Sequence, residues 1–350
     1  MIDTAALREK VLDLAIRGKL VPQDPNDEPA SVLLERIRQQ KQQMVKDGKL
    51  KPKDIKGDTV IFVGDDNLHY EKFADGTQKC IEDEIPFDIP TGWAWERLSN
   101  IAAFSGGKTP STSNREYWEG KILWVTSKDM KCKYIDSSLL MISEKGLEQM
   151  QLYPENTLLL VTRSGILRHT IPVAILKKPA TINQDLKAIM PYIPNLEEYI
   201  WACIKGMESR LILEYTKAGA TVENINFDAF QRILLPIPPE HQIQRIISAA
   251  NNATAIIDNL KTDQEDLIDI IGKAKSKILD LAIRGKLVPQ NPDDEPASML
   301  LDCIRAEKEE LIRQGKIKRD KKESVIFRGD DNSYYEKIGK VAVCIDSDLP

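Results

Sequence analysis

Residues 11–31, VLDLAIRGKLVPQDPNDEPAS, return near the end of the chain as residues 278–298, ILDLAIRGKLVPQNPDDEPAS, identical at 18 of 21 positions. The likeness continues through Leu33, Leu34, Ile37 and Arg38, which recur as Leu300, Leu301, Ile304 and Arg305, and through VIF and GDD at 60–66 and 325–331. IEDEIP at 81–86 then aligns with IDSDLP at 345–350. The chain therefore reads as one unit, a unique insert of roughly 155 residues, and the same unit again. Two copies about 265 residues apart indicate a duplication, since a solenoid needs at least about three stacked units.

The second copy is led by a run without proline between Pro239 and Pro289 in which apolar residues recur every seven positions. One series is Ile243, Ala250, Ile257, Gln264, Ile271 and Ile278; the other is Ile246, Ala253, Leu260, Leu267, Ala274 and Leu281. Gln264 is the one polar seam residue, of the kind that fixes register at a cost in stability. Six heptads predict a coiled-coil helix from about Glu240 to Ile283, ~65 Å long at 1.5 Å per residue and too long to be buried in one compact domain. Gly285, like Gly18 in the first copy, stands where a left-handed cap ends a helix, and L-V-P follows. The first copy keeps the end of the same pattern, with Thr4, Leu7, Val11 and Leu14 in register with Ile271, Ala274, Ile278 and Leu281. A second helix is predicted from about Pro29 to Lys46, and VIFVGDDNLHYEK reads as a β-hairpin.

At 350 residues, 42% apolar and 29% charged, the chain is a folded protein of two or three units. It has no apolar run of the ~18 residues a membrane span needs and no signal-peptide pattern at Met1–Thr4, so a soluble, cytoplasmic protein is expected. Five scattered cysteines outside any C-x-x-C argue against disulfides and zinc. The net charge of −5 disfavours bulk attraction to nucleic acid. Residues 121–187, however, hold ten basic against six acidic groups, the one sizeable stretch with a positive excess.

From Pro90 the pattern changes to short β-prone runs, Ile122–Val125, Thr157–Thr162, Ile171–Leu176 and Leu186–Met190, followed by helical stretches at 196–205 and 208–217, a short helix at 226–233 and a strand at 234–237. This predicts an α+β domain of about 150 residues. Its turns hold the candidates for contacting nucleic acid. SGGKTPSTSNREYW supplies glycines, hydroxyls, Lys108 and Arg115, with Lys128, Lys131 and Lys133 beyond it; VTRSGILRH supplies Arg163, Ser164, Arg168 and His169. Backbone amides, hydroxyls and cations are the groups that position phosphates, and arginine is the commonest reader of guanine. Tyr117, Trp118 and Trp124 read as core rather than stacking platforms.

Enzyme signatures fail. Gly107, Lys108 and Thr109 resemble the end of a phosphate-binding loop, but Ala102 stands where its first glycine is required. No G-x-G-x-x-G and no [ND]-P-P-[FYW] is present, Asp185 and Lys187 lack an upstream acid pair, and His69, His169 and His241 are scattered. No catalytic or metal-ligating residue is expected.

SGGKTPSTSNREYW with ILWVTSKDM, LLLVTRSGILRHTIPVAI with TINQDLKAI, and AGATVENINFDAFQRILLPIPPEHQIQRI running into the heptad helix resemble, in this order and with the flanking repeat, the specificity (S) subunits of type I restriction-modification systems in a half-length form. The resemblance covers nearly the whole chain. It implies one α/β target recognition domain flanked by repeated helical conserved regions, with a long coiled-coil helix: residues 1–89 as the first repeat copy, 90–238 as the recognition domain, 239–285 as the long helix and 286–350 as the second copy. It further implies a non-catalytic reader of double-stranded DNA that holds methyltransferase (M) subunits and, for cleavage, the restriction (R) subunit. S-adenosylmethionine, ATP and Mg are expected on those partners and no cofactor on this chain. DNA contacts are expected from Lys108, Thr109, Ser111, Ser113, Asn114, Arg115, Lys128, Arg163, Arg168 and His169. Asn183 and Gln184 are read as supporting the fold.

Family members usually carry two recognition domains and this sequence holds one, so a homodimer is expected. It would pair its long helices antiparallel through Ile243, Ile246, Ala250, Ile257, Leu260, Gln264, Leu267, Ile271, Ile278 and Leu281, and read an inverted repeat with half-sites ~10 base pairs or so apart. The competing reading is a coiled-coil scaffold that joins proteins and never meets DNA.

Overall fold

The computed structural model describes residues 2–217, 222–319 and 324–348. The chain forms two compact units that divide inside the long helix, between Ile268 and Asp269. The opening AGAT of the AGATVENINF motif, residues 218–221, and the last two residues of the repeat lie outside the described residues.

The first unit opens with helix α1, Thr4–Ile16, whose first-turn amides at Ala5 and Ala6 are capped by the Asp3 carboxylate, both at 3.0 Å. It stops at Gly18, where φ is +66° and a β-carbon would lie 2.5 Å from Pro90 and 2.9 Å from Trp93. Glycine is thus required there by conformation and by space. Helix α2, Ala30–Lys46, buries Ala30, Leu33, Leu34, Ile37 and Lys41, a stripe at helical spacing. A short helix α3, Pro52–Ile55, leads to an antiparallel meander of β1, Val60–Val63, β2, His69–Lys72, and β3, Gln78–Cys80. The predicted hairpin is its first half.

The inserted domain begins with β4, Ala94–Arg97, helix α4, Leu98–Ile101, and β5, Ala102–Gly106. It continues through β6, Trp118–Val125, β7, Tyr134–Ile135, β8, Leu140–Ile142, helix α5, Glu144–Leu147, β9, Leu158–Val161, β10, Val173–Leu176, β11, Ala180–Ile182, and β12, Leu186–Pro191. Helices α6, Glu197–Gly206, and α7, Glu208–Tyr215, strands β13, Thr216–Lys217, and β14, Asn224–Ile225, helix α8, Phe227–Phe230, and β15, Leu234–Ile237, complete it.

A five-stranded sheet runs β5-β12-β9-β10-β7, beside a three-stranded sheet β11-β6-β8. Central strand β9 is buried on both faces, Leu158 and Leu160 in the main core and Leu159 and Val161 in a second core, which is why LLLV reads as a continuous apolar run. Strands β4 and β15 pair antiparallel, Arg97 opposite Leu234, so the chain enters and leaves the domain at one place.

Helix α9 runs Glu240–Ile283, as the heptads predict. Ile243 and Ile246 join the main core, and Ala250 and Ile257 are also buried. Ile2 N donates to Gln264 Oε1 at 2.8 Å and Arg8 pairs with Asp258; the contacts lie six residues apart on each segment in opposite chain order, so the N-terminal segment runs antiparallel to α9. This divides the expected dimer seam. Ile243, Ile246, Ala250 and Ile257 are covered within their own unit, Leu260 is half-buried, and Gln264 binds the Ile2 backbone rather than a facing glutamine. Leu267, Ile271 and Ile278 are exposed. The N-terminal segment, which carries the closing heptads of the same pattern, reaches the middle of this seam through Ile2 and Arg8.

The second unit comprises the rest of α9, helix α10, Ala297–Arg313, and an antiparallel meander of β16, Ser324–Arg328, β17, Tyr334–Ile338, and β18, Val341–Cys344. No described helix is long and apolar enough to cross a membrane.

Candidate nucleic-acid interface

The turn from β11 to β12, Asn183–Asp185, is where the candidate loops meet. Asn183 is buried, its amide donates to Val125 O at 3.0 Å, and its side-chain oxygen accepts from Asp185 N at 3.2 Å. On one side Lys108 N donates to Ile182 O at 3.0 Å, and Gly107 lies so close that a β-carbon would sit 2.0 Å from Asn183 O and 2.3 Å from Ile182 O. The Thr109 hydroxyl bonds the Gln184 carboxamide oxygen. On the other side Thr162 N and its hydroxyl both donate to Asp185 O, at 2.8 and 3.0 Å. The Gly-Gly-Lys-Thr loop, the end of β6 and the Arg163–His169 turn are thereby fixed around one peptide segment.

Within the first loop, Trp124 Nε1 holds Lys108 O and Trp118 Nε1 holds Ser111 O, each at 3.2 Å, while the two indoles meet edge to face with centroids 5.0 Å apart. These tryptophans position the loop as structural groups. Ser111 and Ser113 share a hydroxyl contact of 2.8 Å, and Asn114 spends its side-chain oxygen on Glu116 N, capping the turn that presents Arg115. Lys128 lies within a turn closed by Asp129 on Thr126.

Lys108, Thr109, Ser111, Ser113, Arg115, Lys128, Arg163, Arg168 and His169 are all exposed, and Asn114 is half-buried. Lys133 turns away from them: its ammonium bonds Glu198 at 2.9 Å and Asn251 at 3.1 Å and lies over Trp201. Among the described residues every arginine except Arg115 and Arg163 has an ion pair or a side-chain hydrogen bond within the chain.

Two residues gain weight from the structure. Gln184, read as a support, is exposed at the hub of the loops with its oxygen engaged by Thr109. Glu223 pairs with Arg168, and that arginine holds its carboxyl below the usual carboxylate range against burial, which pushes it up. The 55-residue separation of Arg168 and Glu223 leaves no local sequence signal of the pair. Among the described residues no group of three or more His, Cys, Asp or Glu could hold a metal ion.

The architecture is a mixed sheet domain inserted into a repeated helical frame, with exposed cations on its loops. Residues 90–264, half the chain, match the family described as "Type I restriction modification DNA specificity domain", and the chain belongs to that family. It is similar to the type I restriction enzyme EcoAI specificity subunit of Escherichia coli, 27% identical over 90% of this chain and 57% of that protein. The EcoR124I/EcoR124II specificity subunit of Escherichia coli is 33% identical over 47% of this chain and 42% of its own length. The solved HsdS subunit from Thermoanaerobacter tengcongensis aligns over 74% of this chain and 57% of that one, with 18% identity and a TM-score of 0.43. The chain thus spans little more than half of the EcoAI relative it matches.

Proposed function

We propose that this chain is the non-catalytic DNA-reading subunit of a type I restriction-modification complex. It recognises double-stranded DNA in the cytoplasm and positions methyltransferase and restriction subunits, which bring S-adenosylmethionine, ATP and Mg. The observation that carries the reading is the state of Arg115 and Arg163. A protein interior or an ordinary salt-bridged surface engages its guanidinium groups; among the described residues these two are left without partners, Arg163 directly after the Thr162 that bonds the Asn183–Asp185 turn and Arg115 on the loop that begins with Lys108. Cations held on fixed loops without internal partners suit an external polyanion.

A second copy of the chain completes the reading. The exposed seam residues Leu267, Ile271 and Ile278 support pairing of two chains, two recognition domains and a bipartite target. A protein-joining scaffold would use that seam equally well but would have no use for the free guanidiniums.

Binding of the purified chain, alone and with a methyltransferase subunit, to fluorescent random-sequence duplexes across a salt series tests this. Arg115→Ala and Arg163→Ala each weaken binding across sequences and lower the slope of log affinity against log salt by about 1. No binding in either form, or variants indistinguishable from the parent, overturns it. Sedimentation equilibrium reads the dimer directly.

A further inference from the structure

Arg168 differs from the unpaired Arg115 and Arg163, and the difference assigns it a separate task. Its side chain is 67% exposed, yet its Nε is engaged by Glu223, whose side chain is only 6% exposed. Glu223 is itself fixed: its carbonyl accepts from Ser164 N at 3.1 Å, and the next two residues bridge to Arg163 and donate to Thr162 O at 2.9 Å. The turn that carries Arg168 is equally constrained. The Ser164 hydroxyl caps it at Ile166 N, Leu167 is buried in the main core, and just beyond it Thr170 and Ile171 both bond Glu208 Oε1 at 2.6 Å. The second Glu223 oxygen is buried with no hydrogen-bond partner, so Arg168 is the one cation this carboxylate engages among the described residues.

A guanidinium tied through Nε has its orientation set and keeps the N–H groups of both Nη nitrogens for another acceptor. Because the pair is neutral overall, it contributes little to counterion release, which is how phosphate contacts strengthen binding. What remains is a rigid, directional pair of donors, the complement of the O6 and N7 acceptors that guanine shows in the major groove.

We propose that Arg168 reads a guanine base edge and that Glu223 is its positioning residue, while the unpaired Arg115 and Arg163 contact phosphates. This rests on the DNA-reading function proposed above and deepens it, since it divides the cations between base and backbone.

The test selects bound duplexes from a random-sequence pool, with the methyltransferase subunit present, and follows the affinity of the selected duplex against salt. Arg168→Ala is expected to lose the preference for guanine at one position by on the order of ten- to a hundred-fold, leaving the other positions and the salt slope as they were. Glu223→Gln keeps the shape and a hydrogen-bond acceptor but removes the charge, and is expected to blur the same position and no other. Arg163→Ala should do the opposite, lowering the slope and sparing the sequence preference. Uniform weakening by Arg168→Ala with a slope reduced by about 1, or a guanine preference untouched by Glu223→Gln, overturns the proposal while the DNA-reading function stands. A pool from which the parent chain enriches no sequence overturns both.

Discussion

The two copies of the repeat fold alike and are buried differently. Gly18 and Gly285 both cap their helices at φ +66°, with the following lysine amide bonded back at 2.8 and 2.7 Å to Leu14 and Leu281. Gln23 and Gln290 reach the carbonyls of those glycines at 2.7 and 2.8 Å, and Tyr70–Asp66 and Tyr335–Asp331 both close at 2.8 Å. Yet Ile16, Leu33 and Ile37 are 1, 2 and 1% exposed, whereas their counterparts Ile283, Leu300 and Ile304 are 80, 64 and 51% exposed. Turns, caps and hairpins are set by residues a few positions apart, so identical sequence gives identical local structure. Burial is set by the neighbour, and the first copy has a recognition domain against it.

The largest expected effect sets one leucine against its twin. Leu33→Ala should cost about 2–5 kcal/mol in urea unfolding, as large-to-small changes in a packed core do. Leu300→Ala should stay within about 0.5 kcal/mol for an isolated chain. Should Leu300→Ala cost as much, and more so at higher protein concentration, the second copy is covered by another chain in solution, and the comparison dissolves in favour of the dimer.

The glycines come next. Gly18→Ala forces a left-handed conformation worth roughly 1–2 kcal/mol and drives a methyl into Pro90 and Trp93, adding about 1–3 kcal/mol. Gly285→Ala meets the same conformation but, nearest, only the end of the Gln290 side chain at 3.2 Å, so the conformational part alone is expected. Equal melting shifts for the two would remove packing as the difference.

A pH-dependent effect concerns the polar junction that the first copy forms with the recognition domain. Lys41 Nζ reaches Asp58 at 2.6 Å and the Asn100 carbonyl at 3.2 Å. Glu71 lies between Arg97 and Arg232, each at 2.7 Å; burial pushes its carboxyl up, but these two cations and Thr59 hold it below the usual range. Glu96 goes the other way: burial pushes it up to about 7 despite bonds from Arg97 N and Asn100. Its folded state therefore holds the proton more tightly than the unfolded chain, so the stability it confers is complete below the ordinary carboxylate range and is lost as pH rises toward about 7. Glu96→Gln should abolish that slope, gaining on the parent between about pH 5 and about pH 8 in unfolding experiments. An unchanged slope places the titration elsewhere.

What could be read beforehand divides along the same line. Helix α9 was legible to the residue because eleven of its twelve seam positions repeat at seven, and the hairpin because Gly64, Asp65 and Asp66 separate two β-prone runs. The partner of the seam was not, because α1 reaches it across more than 250 residues of sequence, as the bond from Ile2 to Gln264 does. The candidate loops were visible from their residue types. Their meeting around Gln184 was hidden in contacts such as that of Thr109, 75 residues away. Lys133 shows the same limit, a cation in the right stretch whose side chain is claimed by α6 and α9.

The pairing of β4 with β15 has a wider consequence. The chain enters and leaves the recognition domain through two strands stitched side by side, Arg97 to Leu234 through Ala94 to Ile237, so the frame meets the same anchorage whatever lies beyond it. Closing a longer excursion through that anchorage is cheap, about 0.6 kcal/mol for each doubling of a flexible loop. The hundred-odd residues beyond the stitch are therefore free to diverge, lengthen or be exchanged, provided the two stitched edges, the buried carboxylates behind them and the apolar face that covers Ile16, Leu33 and Ile37 are kept.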